Sequence, residues 1–225
     1  MKTIQSFGSS SPCMHSPMAI LANPVKILGY HAHTLYLFTD DQIIDTVIPS
    51  TAFAIMAAAS GNVLNLPSQS IEAILGRAPL VALWVWVLII QFCVQNQRSP
   101  SSVEEDRINK PWRPMPSNRI TPSQVEYLLS TMHVLAFLLS WWMGVLPMFA
   151  VWSVFITAYN NYGGGDHSGM ARNFFCGSGF ACLISGAFSI AIGPELSLSA
   201  RAWKWTLLFT MGALTSTAHV QEFRD

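Results

Sequence analysis

"VQNQRSPSSVEEDRINKPWRPMPSNRIT", Val94 to Thr121, gathers five of the chain's twelve Lys and Arg residues and three of its acids between two long apolar runs. A segment this polar cannot lie in hydrocarbon, and the runs on either side are long and uncharged, so the alternation reads as span, loop, span. Further out the pattern repeats, with uncharged stretches over Thr46–Ser70, Ala78–Gln97, Tyr127–Gly165, Asn173–Pro194 and Trp205–Gln221. A helix crosses a bilayer with about 20 mostly apolar residues, and Tyr127–Gly165 is long enough for two, hinged near Gly144 and Pro147. The composition agrees: half of the 225 residues are apolar, only 11% are charged, and there is no net charge. The expectation is an all-α integral-membrane bundle with spans at about 43–64, 77–95, 124–141, 145–161, 172–192 and 203–220.

The first 40 residues lack a basic start leading into an apolar core and small-residue cleavage site, so span one is the expected targeting element. The chain then divides into an N-terminal segment 1–40 and a membrane-embedded domain 41–225. Arg98, Arg107, Lys110, Arg113 and Arg119 all lie in the loop 96–122, whereas the turns near 65–72 and 141–145 carry no basic residue. The positive-inside rule therefore places the loop and both termini in the cytosol. On the same face come the segment "NYGGGDHSGMA" and the terminal "QEFRD".

The four cysteines, Cys13, Cys93, Cys176 and Cys182, have no metal-ligand spacing and read as packing thiols. The one dense cluster of basic residues is a single short loop, which argues against nucleic-acid binding. Prolines 111, 114 and 116 exclude a regular helix through "KPWRPMPS". Upstream, Asp106 shares a helical face with Ser102 if that segment is helical. Acids clustered beside Arg and Lys at a membrane mouth leave two readings open. One is a solvated loop that meets anionic lipid headgroups. The other is a diphosphate site, in which carboxylates hold Mg²⁺ while Arg and Lys neutralise the remaining charge.

"DRINKPWRPMPSNRIT" resembles the segment that follows the first aspartate-rich motif of the UbiA superfamily of membrane prenyltransferases, where Asp-x-x-Asn-Lys-Pro leads into Arg-Pro-x-Pro-Ser-Gly-Arg. The match runs through Asp106, Arg107, Asn109, Lys110, Pro111, Arg113, Pro114, Pro116, Ser117 and Arg119. The form "NKPWRP", with "YNNYGGGDH" and "HVQEFRD" downstream, is similar to the fungal secondary-metabolism branch, which holds both transferases and a sesquiterpene cyclase of the fumagillin type. The resemblance covers roughly residues 35 to 225. It implies a helical bundle around a lipid-facing cavity in an endomembrane such as the endoplasmic reticulum. It also implies two acidic motifs at the cytosolic mouth and Mg²⁺-assisted ionisation of a polyprenyl diphosphate.

Two departures bear on that expectation. The family's first motif reads Asn-Asp-x-x-Asp-x-x-x-Asp; here Ser102 stands where the preceding Asp falls, counted back from Asp106. Counted forward from Asn96, the Asp positions hold Gln97, Pro100 and Glu104. In the second motif, Asp225 matches the first Asp, and its partner would lie beyond the last residue. Six spans stand against the family's usual nine or so, as in a shortened member.

On the resemblance, Glu104, Glu105, Asp106 and Asp225 are the expected Mg²⁺ ligands, with Asp106, Glu105 and Asp225 as the catalytic set. Asn96, Arg107, Asn109, Lys110, Arg113 and Arg119 are expected to bind diphosphate. The leading activity is transfer of a prenyl group to a small aromatic or polyketide acceptor. A sesquiterpene cyclase acting on farnesyl diphosphate is the alternative, and a shortened, non-catalytic paralogue or membrane partner is the third reading. Asp166, His167, Asn160 and Asn161 lie near the same face, His133 and His219 sit inside apolar spans, and the tryptophans divide between core, interface and cavity.

Overall fold

The computed structural model describes residues 24–165 and 168–217, with Leu214 and Thr217 described by their backbones alone. Cys13, Asp166, His167, His219, Asp225 and the terminal "QEFRD" therefore lie outside the described residues. Within them every regular element is helical, as the uncharged runs require.

Helix α1 runs unbroken from Pro24 to Ala59, 36 residues. It begins well before the expected start at residue 43, because helix formation does not require the uncharged run that marks a span; its threonines bond back into the helix. Thr34 donates to Tyr30 O at 2.8 Å and Thr39 to Leu35 O at 3.2 Å. A π-helical stretch, Ile43–Val47, falls where Pro49 withdraws a backbone donor from the preceding turn. Helix α2 spans Ile71–Gln97, capped by Ser70. A short α3, Pro100–Asn109, is capped by Ser99 and occupies the upstream half of the polar stretch. Helix α4, Pro122–Trp142, opens with a capping box formed by Thr121 and Gln124. It turns at Gly144, whose φ of +72° suits glycine, into α5, Leu146–Asn161. Helix α6 covers Gly169–Ile192, and α7 occupies 200–217 with a π-helical stretch at Leu208–Leu214.

Helices α1, α2, α4 and α6 are long and apolar enough to cross a membrane. With only 16 residues, α5 is shorter than a full crossing, although it stands where a span was expected. Helices α2 and α6 form the centre, each packing against α1, α5 and the other. A face of small residues on α6, Gly177, Ala181 and Ser185 at intervals of four, turns toward α7, where a Cβ on Gly177 would meet Met211 and Thr215, and such faces bring backbones close where lipid supplies no hydrophobic drive between helices. Gly186 on α6 is matched to Trp84 on α2, since a Cβ there would overlap the indole ring. The Trp84 indole N–H donates to Ser140 Oγ on α4 at 2.8 Å, so this ring joins three helices.

Candidate active site

The polar stretch folds from its N-terminal end. Helix α3 closes where Lys110 N–H donates to Asp106 O, and the prolines then enforce turns in place of a further helix. Arg113 N–H donates to Lys110 O at 3.0 Å and Arg119 N–H to Pro114 O at 3.0 Å. Asn118 takes a φ of 55° at the position where the family motif has glycine, a left-handed conformation that Asn tolerates. This folding lays Lys110, Trp112 and Arg113 against the polar turn "TDDQ" of α1.

Arg113 is the hub. One terminal nitrogen, Nη1, donates to both Asp106 oxygens at 2.9 Å, and the other, Nη2, donates to Asp41 Oδ2 at 2.8 Å. Lys110 Nζ donates to the same Asp41 oxygen at 2.6 Å, and the Trp112 indole N–H to Asp40 Oδ2 at 2.9 Å. Burial works against charge on Arg113, but the Asp106 carboxylate, and then Asp41, hold its pKa above the ordinary guanidinium range. It stays cationic at every working pH.

The other expected residues divide by place. Asn96, at the end of α2, donates to Asn160 Oδ1 at 3.0 Å, and Arg98 reaches Glu126 and Asn161, so α2, α4 and α5 end together at this mouth. Arg107 pairs with Glu104 at 2.9 Å on the exposed face of α3, where Glu105 and Asn109 also face outward. Arg119 lies elsewhere, donating to Thr34 Oγ1 and Tyr30 O on α1 with its guanidinium 4.1 Å from the Tyr30 ring centre. Lys110, Arg113 and Asp106 thus converge, whereas Arg107, Asn109, Arg119, Glu104 and Glu105 do not join them. Among the described residues no group of three or more His, Cys, Asp and Glu is placed to hold a metal ion. Both Asp106 oxygens are engaged by Arg113 and Glu104 by Arg107, so these carboxylates as placed do not fit Mg²⁺.

Two features were not anticipated. Asp40 and Asp41 belong to "FTDDQIID", an acidic run ahead of the first uncharged stretch, and that run was the available signal for their place in the site. The second is a narrow cavity of about 70 Å³ between α1, α2, α5 and α6. Phe92, Trp152, Phe155, Tyr159 and Phe175 supply aromatic walls, with Gln42 and Thr46 on the α1 side. Phe92 lies one turn before Asn96, Tyr159 directly precedes Asn160, and Gln42 directly follows Asp41, so the cavity begins immediately beneath the charged mouth. Trp112, in the same loop as Lys110 and Arg113, is half-exposed, and its indole is tied to Asp40.

The model of the UbiA prenyltransferase family matches residues 46–225. The chain belongs to this family. It is 31% identical over 192 residues to the fumagillin beta-trans-bergamotene synthase af520 of Aspergillus fumigatus, an alignment covering 85% of this chain and 61% of the relative. It is 28% identical over 193 residues to the somaliensene A/B synthase of Streptomyces somaliensis, covering 86% of this chain and 60% of that protein. The chain spans about three fifths of the length of these curated relatives. No solved structure matches it. UbiA membership accounts for the helical membrane bundle and for a polar loop framed by spans.

Proposed function

We propose that this UbiA-family chain handles a prenyl diphosphate of the farnesyl class and directs it to cyclisation. The observation that carries this reading is the aromatic-walled cavity directly beneath Lys110 and Arg113. Its enclosed space is about 70 Å³, below the roughly 300–1,000 Å³ of occupied small-molecule sites, so a prenyl tail enters by parting the aromatic side chains that wall it.

The division of labour follows from the residues. Lys110 and Arg113 draw the diphosphate to the mouth and stabilise the charge that grows on it as the allylic C–O bond breaks, the electron pair leaving with the phosphate oxygen. The prenyl tail lies among Phe92, Trp152, Phe155, Tyr159 and Phe175, where water is scarce. Aromatic faces there stabilise the allylic cation by up to about 2 kcal/mol each when desolvated. Attack by one of the tail's own double bonds closes a ring, and loss of a proton ends the sequence. The family's association with Mg²⁺ adds an expected cofactor. Among the described residues the carboxylates as placed do not fit the ion, and none of these steps uses it.

Both relatives carry the names of terpene-type synthases, which favours cyclisation over the prenyl transfer expected from the sequence. The deciding experiment supplies membranes containing the full chain with farnesyl diphosphate and no acceptor. Cyclisation yields a hydrocarbon, whereas a product formed only after adding an aromatic acceptor returns the chain to transfer.

A further inference from the structure

The mouth contains its own counter-anions. Lys110 and Arg113 face Asp41 and Asp106, so the two positive charges of this cluster are already balanced by two negative ones. A diphosphate brought beside these carboxylates meets like-charge repulsion unless one of them gives way.

The two acids are not equally well held. Asp106 engages Arg113 with both oxygens and is buried. Asp41 puts its whole load on one oxygen, Oδ2, which accepts from both Lys110 and Arg113, while its Oδ1 is buried with no partner. Arg113 Nε is likewise buried with no partner, so the guanidinium has a donor that neither carboxylate uses. Buried polar atoms are normally satisfied, and an orphaned donor beside an orphaned acceptor in one ion cluster marks an arrangement completed by something else. Phosphate oxygens suit it, because they accept from a guanidinium in pairs and from an ammonium as a point charge.

We propose that Asp41 is a resident counter-anion exchanged for diphosphate. The incoming phosphate oxygens take over Lys110 Nζ together with Nη2 and Nε of Arg113, while Asp106 keeps Nη1 and holds the guanidinium in place. Asp41 comes from α1, 69 and 72 positions away in sequence from the two cations, so the exchange also removes two of the loop's ties to the first helix, while those of Trp112 to Asp40 and of Arg119 to Tyr30 and Thr34 stay. This inference rests on the prenyl-diphosphate reading.

The test uses the full chain in lipid nanodiscs, with inorganic diphosphate titrated by calorimetry at low salt. Asp41→Asn keeps the size and removes the charge, and the expected result is diphosphate affinity raised about tenfold, the scale on which removal of one adjacent like charge acts. Asp41→Glu restores the charge and returns the affinity to near the wild-type value, which separates charge from folding. Equal or weaker binding by Asp41→Asn, when the wild type binds and Lys110→Ala weakens binding, overturns the counter-anion role alone. If neither wild type nor Asp41→Asn binds diphosphate, the counter-anion role and the prenyl-diphosphate reading fall together.

Discussion

Arg113 and Arg77 are both partly buried arginines at helix ends, one at each end of the bundle. Arg113 bridges two carboxylates, Asp41 and Asp106. Arg77 donates instead to Gln69 Oε1 at 2.8 Å and to Ala191 O at 3.0 Å, and its guanidinium lies against Gly193. Arg201 at the same far end reaches Asn65. Carboxylates are mobile anions that another anion can replace, whereas a helix carbonyl belongs to the scaffold and cannot leave. The far end thus uses cations to finish helix ends, and the loop end holds them in exchangeable pairs.

The sharpest way to break this contrast is Arg113→Ala. It strands the buried Asp106 and deprives Asp41 of a partner, and leaving a buried charge uncompensated costs about 3 kcal/mol or more. Thermal unfolding in detergent is expected to show that loss, with diphosphate binding abolished. A stable variant that still bound diphosphate would remove Arg113 from the site.

A smaller effect is expected between the two ends. A Cβ on Gly179 would already stand 3.4 Å from the Trp152 ring, so Gly179→Leu sends further carbons into the aromatic cavity. Overpacking costs about 1–3 kcal/mol. Binding of a farnesyl-length ligand should fall at least tenfold while inorganic diphosphate binding holds, and equal losses of both would mean the cavity does not take the tail.

Arg77→Ala removes hydrogen bonds to neutral acceptors only, and about 1 kcal/mol of stability should go with them. Diphosphate titration is expected to be unchanged, and a change there would erase the distinction between the ends. The smallest effect belongs to Arg107→Ala. Its pair with Glu104 is exposed on both sides, so melting should stay within about 0.5 kcal/mol of wild type. A tenfold loss of diphosphate affinity would bring Arg107 back into the mouth.

Much of this was legible beforehand. Uncharged runs located the helices of the bundle, since hydropathy and length are local properties of the chain. Prolines 111, 114 and 116 announced the turns that end α3, and the clustered basic residues marked the loop as a candidate anion site. The start of α1 was missed because helix 24–42 is not uniformly apolar, and helicity there does not depend on hydrocarbon. The split of the basic residues was also hidden. Arg119 sits six positions from Arg113, yet the turn at Asn118 sends it to Tyr30 and Thr34 instead of Asp41.

By itself the sequence determined the class of the protein, a helical membrane bundle with a rigid basic loop, because apolar length and proline geometry act on neighbouring residues. Only the tertiary structure decided which charges meet. Asp41 finds Lys110 and Arg113, and Phe92 finds Trp152 and Tyr159, through helix packing that no local pattern encodes. A charged or aromatic side chain has no preferred partner until the backbone brings one within a few ångströms, and here that proximity turns a polar loop into a candidate diphosphate mouth.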